Sequence, residues 1–319
     1  MEVKVAVGQL DPTEDARRNW DVALALAERA AGAGARLLVL PEQTMLAQRA
    51  GEPERFARLA REAWEWWPAA VSEAAGRLGL ALVAGGVAPS AGAAPAAPSS
   101  PVSAHPAAAA PDLPAPAATP SASKRGPRTP AGGSPLGPDR AAPAPVAGPD
   151  AGDTRPFNVL LAVDAAGREV ARQAKTRLYD AFGFSESAMV RPGPAAAPRP
   201  VELEGVRFGL VNCYELRFPE HARRLVAAGA EALALGAAWV RGPLKEDQWA
   251  TLARARAIEN CCYVLAAGTR AKDTIGRSMV IDPAGVAVAA LADQPQGIAL
   301  ARLDTDRIAE VRDHARSLP

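Results

Sequence analysis

Apolar and polar positions alternate along the chain in short blocks that predict strands and helices in turn. Residues 3–9 alternate valine with polar or small residues, and 36–40 (RLLVL) is a short apolar run; both patterns are typical of strands. Period-3.6 spacing predicts helices near 14–32, 54–78, 219–228 and 247–260, and apolar runs predict further strands at 79–87, 206–212, 231–236, 262–267 and 298–303. Strands that alternate with helices predict an α/β fold.

Two longer segments predict β-hairpins. Residues 157–178 carry a turn at Asp164–Gly167, and residues 277–291 carry one at Asp282–Gly285. Because hairpins pair strands antiparallel, we expect mixed rather than purely parallel sheets.

Residues 89–152 differ in composition from the rest of the chain. They hold 16 of the 30 prolines and no Phe, Trp or Tyr. Such a segment can form neither a core nor a regular ladder, so we predict a disordered Pro/Ala-rich insertion in a surface loop. The remaining parts, 1–88 and 153–319, have the size of a single domain. An alternative function for the insertion is a proline-rich ligand for another protein.

Charge and cysteine content narrow the class of protein. The 319 residues carry a formal net charge of +1, whereas nucleic-acid and membrane-surface partners favour a basic excess, so we expect neither partner. No apolar run approaches the length of a membrane span, and the first ten residues lack the apolar core of a signal peptide. An odd number of cysteines, two of them adjacent, suits no disulfide framework and favours a reducing cytoplasm.

The segment FGLVNCYELRFPEHARRL (208–225) draws attention because an apolar strand ends at a thiol, Cys213. A proline that suits the first turn of a helix, Pro219, follows six residues later. A strand, a sharp corner with a nucleophile and a helix form an arrangement suited to catalysis. The competing interpretation is a structural cysteine, because free cysteine is among the most buried residue types.

A base for this thiol is more readily found among carboxylates than among histidines. Of the three histidines only His221, in the helix after Cys213, stays open as a partner. Glu42 ends the strand RLLVLPEQ at the edge where α/β folds bind ligands, and Lys175 follows another strand. No cluster has metal-ligand spacing, and the glycines of GAGARLL precede their strand, so we expect neither a metal nor a dinucleotide cofactor.

Three separated segments together carry a resemblance to a known family. VLPE around Glu42, AKTRLYDAFGFSES around Lys175 and NCYELRFPE around Cys213 resemble the signature segments of the nitrilase (carbon–nitrogen hydrolase) superfamily. The similarity covers nearly the whole chain apart from 89–152 and is strongest to the small amidases of the omega-amidase and deaminated-glutathione amidase branch. It implies a four-layer αββα sandwich with two mixed sheets inside and helices outside.

The resemblance also implies roles for individual residues. Cys213 would attack an amide carbonyl to form a thioester, and Glu42 would act as general base and acid. Lys175 would lie beside the oxyanion together with the backbone N–H of Tyr214, and its ammonium would favour the thiolate. Glu186 would hold Lys175 and help to orient the substrate.

Further residues near the nucleophile line the predicted pocket or pack around it. Trp239 would line the pocket, with a core aromatic as the alternative. We expect Arg217 and Glu220 to form structural ion pairs rather than to contact substrate. Glu215 stands where the superfamily more often has aspartate.

The sequence thus predicts hydrolysis of a small carboxamide to acid and ammonia, without a cofactor, by a homodimer or higher homo-oligomer that pairs through helices near the nucleophile. Two alternatives within the enzyme class are an N-carbamoyl hydrolase and a nitrilase. An alternative from another class is a catalytically silent scaffold whose proline-rich insertion binds a partner.

Overall fold

Two six-stranded sheets pack face to face in the computed structural model, which describes residues 1–48, 52–90, 153–194 and 199–315. The strands are β1 (Glu2–Gln9), β2 (Leu37–Val39), β3 (Ala81–Ala88), β4 (Phe157–Val163), β5 (Glu169–Ala174), β6 (Asp180–Ala181), β7 (Phe184–Ser185), β8 (Val201–Leu203), β9 (Val206–Asn212), β10 (Ala232–Ala237), β11 (Tyr263–Gly268), β12 (Met279–Ile281), β13 (Ala287–Ala290) and β14 (Gly297–Asp304). The helices are α1 (Ala16–Gly32), α2 (Pro53–Trp64), α3 (Trp67–Leu78), α4 (Pro219–Ala227), α5 (Lys245–Asn260) and α6 (Thr305–Ala315).

Both sheets are mixed, as the hairpins in the sequence predict. The first has the order β14-β1-β2-β3-β4-β5, in which β1, β2 and β3 run parallel and the other neighbours pair antiparallel. The second has the order β13-β12-β11-β10-β9-β8, with β9, β10 and β11 parallel. The parallel strands bring chain segments that follow their carboxyl ends to one edge of each sheet, where ligands bind in α/β folds.

Three apolar layers hold the sheets and helices together, and they follow the period-two alternation of the strands. In β11, Leu265 packs between the two sheets, whereas its neighbour Val264 packs toward the α4 and α5 side. In the first sheet, Leu37 faces the second sheet and Leu38 faces the layer of α1, α2 and α3. Two sheets inside and helices outside form the αββα sandwich, which confirms the expected fold class.

The single helix predicted over residues 54–78 is wrong, because the structure has two helices there. The pattern over 54–78 predicts a single helix, but the chain forms α2 and α3 with a break at Glu65 and Trp66. Pro68 explains the break, because inside a continuous helix it would lack its hydrogen bond and its ring would meet the carbonyl of Trp64.

Several short or terminal elements were not expected from the pattern: the β6–β7 hairpin, β8 and α6. The predicted disordered insertion, 89–152, falls almost wholly outside the described residues. Within the described ranges, none of the helices combines the length and apolar character needed to traverse a lipid bilayer.

Candidate active site

Cys213 lies at a strained corner between β9 and α4. It opens a short 3-10 helix, Cys213–Arg217, directly after the strand, and its φ of +48° lies in the left-handed region. A non-glycine residue seldom adopts this conformation, and where it does the surrounding structure must hold it there. The corner turns the thiol toward a cleft, and only 7% of the residue is exposed.

Glu42 follows β2 in the first sheet and meets the cysteine corner of the second sheet. Its Oε2 accepts the backbone N–H of Ala238, just beyond β10, at 2.8 Å. Its Oε1 accepts Lys175 Nζ at 2.7 Å, and the Cys213 thiol lies close enough to the same carboxylate for the Glu42 charge to raise the pKa of the thiol. The structure therefore brings together Glu42, Lys175 and Cys213 from three distant parts of the chain.

Lys175 is buried between two carboxylates. Besides Glu42, its Nζ donates to Glu186 Oε1 at 2.9 Å and to Glu186 Oε2 at 2.8 Å. Glu186 is held in turn by the backbone N–H of Tyr179 at 2.7 Å. Glu186 thus holds the lysine, the contact that the resemblance implies.

The protonation states follow from burial and from these partners. Burial would raise the pKa of Glu42, but the charge and hydrogen bond of Lys175 keep that pKa below its usual value. Burial would lower the pKa of Lys175, but Glu186 and Glu42 raise it well above the usual value. Burial and then the Glu42 charge raise the pKa of Cys213 well above its usual value, against the opposing effect of Lys175. The resting site therefore holds a thiol beside a carboxylate: Lys175 favours the thiolate, as expected, but burial and the Glu42 charge outweigh it.

Two buried amides, Asn158 and Asn212, complete the site and were missed from the sequence. Asn158 Nδ2 donates to Glu42 Oε1 at 2.7 Å and to Glu186 Oε1 at 3.0 Å. Asn158 Oδ1 accepts from Asn212 Nδ2 at 3.0 Å, and Asn212 directly precedes Cys213. The sequence did carry a signal: each is an amide next to a run of apolar strand residues, and a buried polar group needs a partner.

The oxygen atoms of Glu42 differ in their remaining capacity to accept protons. Oε1 already accepts from Lys175 and Asn158, whereas Oε2 accepts from the backbone N–H of Ala238. Since each carboxylate oxygen has about two lone-pair sites, Oε2 has room for the thiol proton of Cys213.

Glu215 ties the cysteine corner to the lysine segment. Its Oε1 accepts the backbone N–H and the hydroxyl of Thr176, both at 2.8 Å, and its Oε2 accepts the Asn212 N–H at 2.9 Å. His221 lies against this carboxylate, with Nε2 3.6 Å from Glu215 Oε2. The histidine that the sequence left open as a base is thus placed beside Glu215.

Close backbone contact fixes the position of Glu42. A Cβ added at Gly85 in β3 would lie 1.9 Å from the Glu42 carbonyl oxygen, and one added at Gly236 would lie 3.1 Å from the Glu42 nitrogen. Only glycine permits such an approach without moving the backbone of Glu42.

The Cys213 cleft is small, with a cavity volume of about 20 Å³. Tyr214 and Trp239 both line it, and Trp239 also packs against Trp249 with ring centroids 5.5 Å apart, so it is both a core and a lining residue.

Arg217 also lines this cleft, contrary to expectation. Its guanidinium donates to Gln248 Oε1 at 2.8 Å and lies 4.9 Å from the Trp239 ring centroid. Glu220 instead lies 3.7 Å from Arg177. The predicted structural ion pairing of Arg217 is therefore wrong, because the 3-10 turn directs it away from Glu220 and into the cleft.

Comparison with known proteins places these residues in a family context. Residues 141–313 match the family model described as carbon-nitrogen hydrolase. A 158-residue segment, half of the chain, is 48% identical both to YbeM of Escherichia coli K12 and to a deaminated glutathione amidase of Escherichia coli O157:H7. The match spans 83% of the first relative but only 59% of the second.

The fold is likewise similar to a solved one. The crystal structure of the Caenorhabditis elegans NitFhit protein aligns with a TM-score of 0.73 at 24% identity, over 98% of this chain and 63% of that one. Because the family model matches more than half of the residues, the chain belongs to the carbon-nitrogen hydrolase family, within the nitrilase superfamily.

Proposed function

We propose that the protein hydrolyses the C–N bond of a small carboxamide through a thioester on Cys213. The observation that carries the proposal is that the Cys213 thiol lies under the influence of an ionised Glu42, whose charge raises the thiol pKa and which Lys175 holds in place. A nucleophile, an adjacent base and a group that orients the base are the parts that covalent catalysis requires.

In the first half-reaction Cys213 Sγ attacks the carbonyl carbon while its proton passes to Glu42 Oε2. The C=O π electrons move to oxygen, beside the Tyr214 backbone N–H and Lys175. Protonation of Glu42 removes the negative charge beside the Lys175 ammonium and weakens the hydrogen bond between the two side chains. One N–H of Lys175 then becomes free to donate to the oxyanion. Collapse of the tetrahedral intermediate breaks the C–N bond, Glu42 returns its proton to the leaving nitrogen, and ammonia or an amine departs.

The second half-reaction uses the same residues in reverse. Glu42 takes a proton from water, the hydroxide adds to the thioester carbonyl, and the C–S bond breaks. The proton on Glu42 returns to sulfur, so the acid product leaves and the thiol is restored. The sum of the two halves is amide plus water to acid plus ammonia or amine.

Among substrates, the relative named deaminated glutathione amidase favours a small amide of that type. An N-carbamoyl hydrolase or a nitrilase would use the same three residues, so the panel of test substrates includes carbamoyl compounds and nitriles.

The direct test is intact-protein mass spectrometry after rapid acid quench of the protein with each compound. We expect a mass increase equal to the acyl group, its absence in Cys213→Ala, and release of acid and ammonia or amine on longer incubation. Hydrolysis that persists in Cys213→Ala would refute the thioester.

The scaffold alternative makes a different prediction for a variant that lacks residues 89–152. We propose that this variant still folds and turns over amide. Loss of partner binding with no turnover in either form would favour the scaffold.

A homodimer in the cytoplasm completes the proposal. The three cysteines are free, which suits a reducing compartment, and α4 and α5 lie on the outer face where we propose that subunits pair. Light scattering after size-exclusion chromatography measures the oligomeric state, and a monomer at micromolar concentration would contradict the dimer.

A further inference from the structure

The side chain of Glu215 is completely buried beneath the Cys213 corner. It occupies the third position of the 3-10 helix, and its Oε2 accepts the backbone N–H of Asn212 at 2.9 Å. Its Oε1 accepts both the backbone N–H and the hydroxyl of Thr176, each at 2.8 Å. Burying a carboxylate is costly unless hydrogen bonds replace its water, and these three donors do so.

A cap for the 3-10 helix explains only part of these contacts. The bond to Asn212 is the one that a glutamate at the third position makes in a capping box. The two bonds to Thr176 serve no cap, because Thr176 comes just after β5 of the first sheet, whereas the 3-10 helix follows β9 of the second sheet. One carboxylate therefore joins the residue before the nucleophile to the residue after Lys175.

The base is joined to the nucleophile by a different route. Glu42 Oε2 accepts the backbone N–H of Ala238, which follows β10, and β10 pairs with β9 in the second sheet. Glu42 is therefore anchored to the sheet that carries Cys213. The backbone N–H of Lys175 donates instead to the Asn158 carbonyl, in β4 of the first sheet, at 2.8 Å. The bonds of Glu215 thus bear on the position of Lys175 relative to the cysteine corner.

We propose that Glu215 is a positioning residue that holds the two oxyanion donors, the Tyr214 N–H and the Lys175 ammonium, at the separation that catalysis needs. The inference rests on the proposed amide hydrolysis, in which these two groups bind the oxyanion. Tyr214 belongs to the corner and Lys175 to the facing segment, so the donors converge on one oxygen only while the two segments keep their register. A misplacement of about 1 Å in a site can cost about 100-fold in rate.

The length of the Glu215 side chain suits this role. Aspartate, which the superfamily more often has at this position, would withdraw the carboxylate by one methylene, about 1.5 Å. A carboxylate moved by that distance would keep its bond to Asn212 or its bonds to Thr176, but not both sets. We therefore expect Glu215→Asp to lose activity although it keeps the charge.

The main test is Glu215→Gln, which keeps the shape of the side chain but replaces one acceptor oxygen by an amino group. Turnover is measured as ammonia release from butyramide and from glutaramate, a neutral and an anionic carboxamide, and the faster substrate is used. We expect kcat to fall about 10- to 100-fold in Glu215→Gln and in Glu215→Asp. KM should change by less than about threefold, because oxyanion donors act on the transition state.

Alkylation of Cys213 by iodoacetamide is the readout that a merely structural role would not spare. In this reaction the S–C bond forms, iodide leaves and the thiol proton passes to Glu42, so the nucleophile and the base are used without an oxyanion. We expect the alkylation rate of each variant to stay within about threefold of wild type while kcat falls. A disordered corner would slow both reactions.

Two further variants keep the test decisive. Thr176→Val removes only the hydroxyl donor to Glu215, so it decides the matter if Glu215→Gln does not fold; we expect kcat to fall about 3- to 10-fold. Gln173→Met is the matched control, because Gln173 Nε2 donates to the Leu210 carbonyl at 2.9 Å and also joins β5 to β9. It should keep kcat within about twofold of wild type. Thermal unfolding followed by circular dichroism verifies that each variant is folded.

The outcomes separate this inference from the function on which it rests. A wild-type kcat in folded Glu215→Gln or Glu215→Asp, or a parallel loss of kcat and of Cys213 alkylation, would overturn the positioning role and leave amide hydrolysis intact. A wild-type protein that releases ammonia from neither amide, although its Cys213 is alkylated, would overturn the proposed function itself.

Discussion

Replacing Asn158 by leucine isolates the contribution of the buried amide to the state of Glu42. Leucine has nearly the same shape, so it leaves little cavity, but it removes the Nδ2 bonds to Glu42 and Glu186 and the acceptor for Asn212. The ionised form of Glu42 loses one of its stabilising donors, whereas its protonated form loses less. We therefore expect the pKa of Glu42 to rise in the variant.

The size of the effect follows from the bonds that are lost. A hydrogen bond to a charged group contributes about 1.5–3 kcal/mol, and a buried amide left without a partner costs about 1–3 kcal/mol. Asn212 Nδ2 would be such a group, and Asn212 Oδ1 already has no partner. With two bonds to carboxylates gone and some apolar packing gained, we expect the free energy of unfolding to fall by about 3 kcal/mol.

The decisive measurement is the pH dependence of kcat/KM. Glu42 must be deprotonated to accept the thiol proton, so activity falls on the acid side as this carboxylate becomes protonated. A raised pKa of Glu42 moves this acid limb, the fall of kcat/KM at low pH, to higher pH. At a pH below the limb we expect the variant to lose about tenfold more activity, relative to wild type, than at a pH above it, which corresponds to about 1.4 kcal/mol.

Asn19→Leu is the matched control. Asn19 is buried in α1, and its side chain makes four hydrogen bonds, all to Thr13 and Met45 and none to a carboxylate. We expect it to lower the stability to urea by a similar amount with the acid limb unmoved. An unmoved limb in Asn158→Leu would show that Asn158 is merely structural and would refute the reasoning.

Further predictions concern the proposed base Glu42, the buried Cys262 and Gly85, which packs against the Glu42 backbone. Glu42→Gln removes the base and lowers kcat about 10²- to 10⁴-fold; because the negative charge beside Cys213 is also gone, its pKa falls, and thiolate absorbance at 240 nm should appear at lower pH than in wild type. Cys262, whose pKa burial raises to about 12, stays unmodified by iodoacetamide at pH 8 until urea unfolds the protein, and peptide mapping that finds it labelled in the native state would contradict this. Gly85→Ala should abolish turnover or folding because its Cβ meets the Glu42 carbonyl, whereas Gly32→Ala, with open space around its Cβ, should leave kcat/KM within twofold.

The acidity of Glu42 also predicts how stability depends on pH. Its folded pKa lies below the usual value, so its ionisation stabilises the fold above the unfolded-state value, near 4.5, and that contribution is lost as the pH falls toward the folded pKa. Urea unfolding between pH 7 and pH 4 should show this loss in wild type and a smaller loss in Glu42→Gln. An equal loss in both would assign the effect to other carboxylates.

The sequence predicts most of the architecture because the strands repeat with period two and the helices with period 3.6, and both patterns are local. The break between α2 and α3 could also be found from the sequence, since Pro68 cannot lie inside a helix. The β6–β7 hairpin could not, because its two-residue strands are too short to carry a pattern.

The residues of the candidate site also fall into those that the sequence identifies and those that only the structure reveals. Glu42 and Cys213 can be found because each is polar at the end of an apolar strand, where a buried run should yield to a turn. Lys175 follows a half-buried strand that carries polar residues, and it is distinguished only by the resemblance of its segment to the family signature. Asn158 lies inside a strand, and its importance depends on two carboxylates 116 and 28 residues away.

Arg217 was misjudged for a related reason. Glu220 is near it in sequence, but its actual partner, Gln248, lies 31 residues away on α5. Pairings of this kind depend on how helices pack, which local pattern does not specify.

Two buried thiols, Cys213 before α5 in the chain and Cys262 just after it, differ in the group that could accept the thiol proton. Burial raises the pKa of both Cys213 and Cys262, so acidity alone would make each inert. Cys262 contacts the Arg256 carbonyl oxygen at 3.8 Å, and a carbonyl cannot take its proton at neutral pH. Cys213 instead lies beside Glu42, an ionised carboxylate with a free lone-pair site, and it opens onto a cleft. In the mechanism we propose, its reactivity therefore depends on proton transfer coupled to attack rather than on a stored thiolate, and this is why we expect the loss of activity at acid pH to follow Glu42.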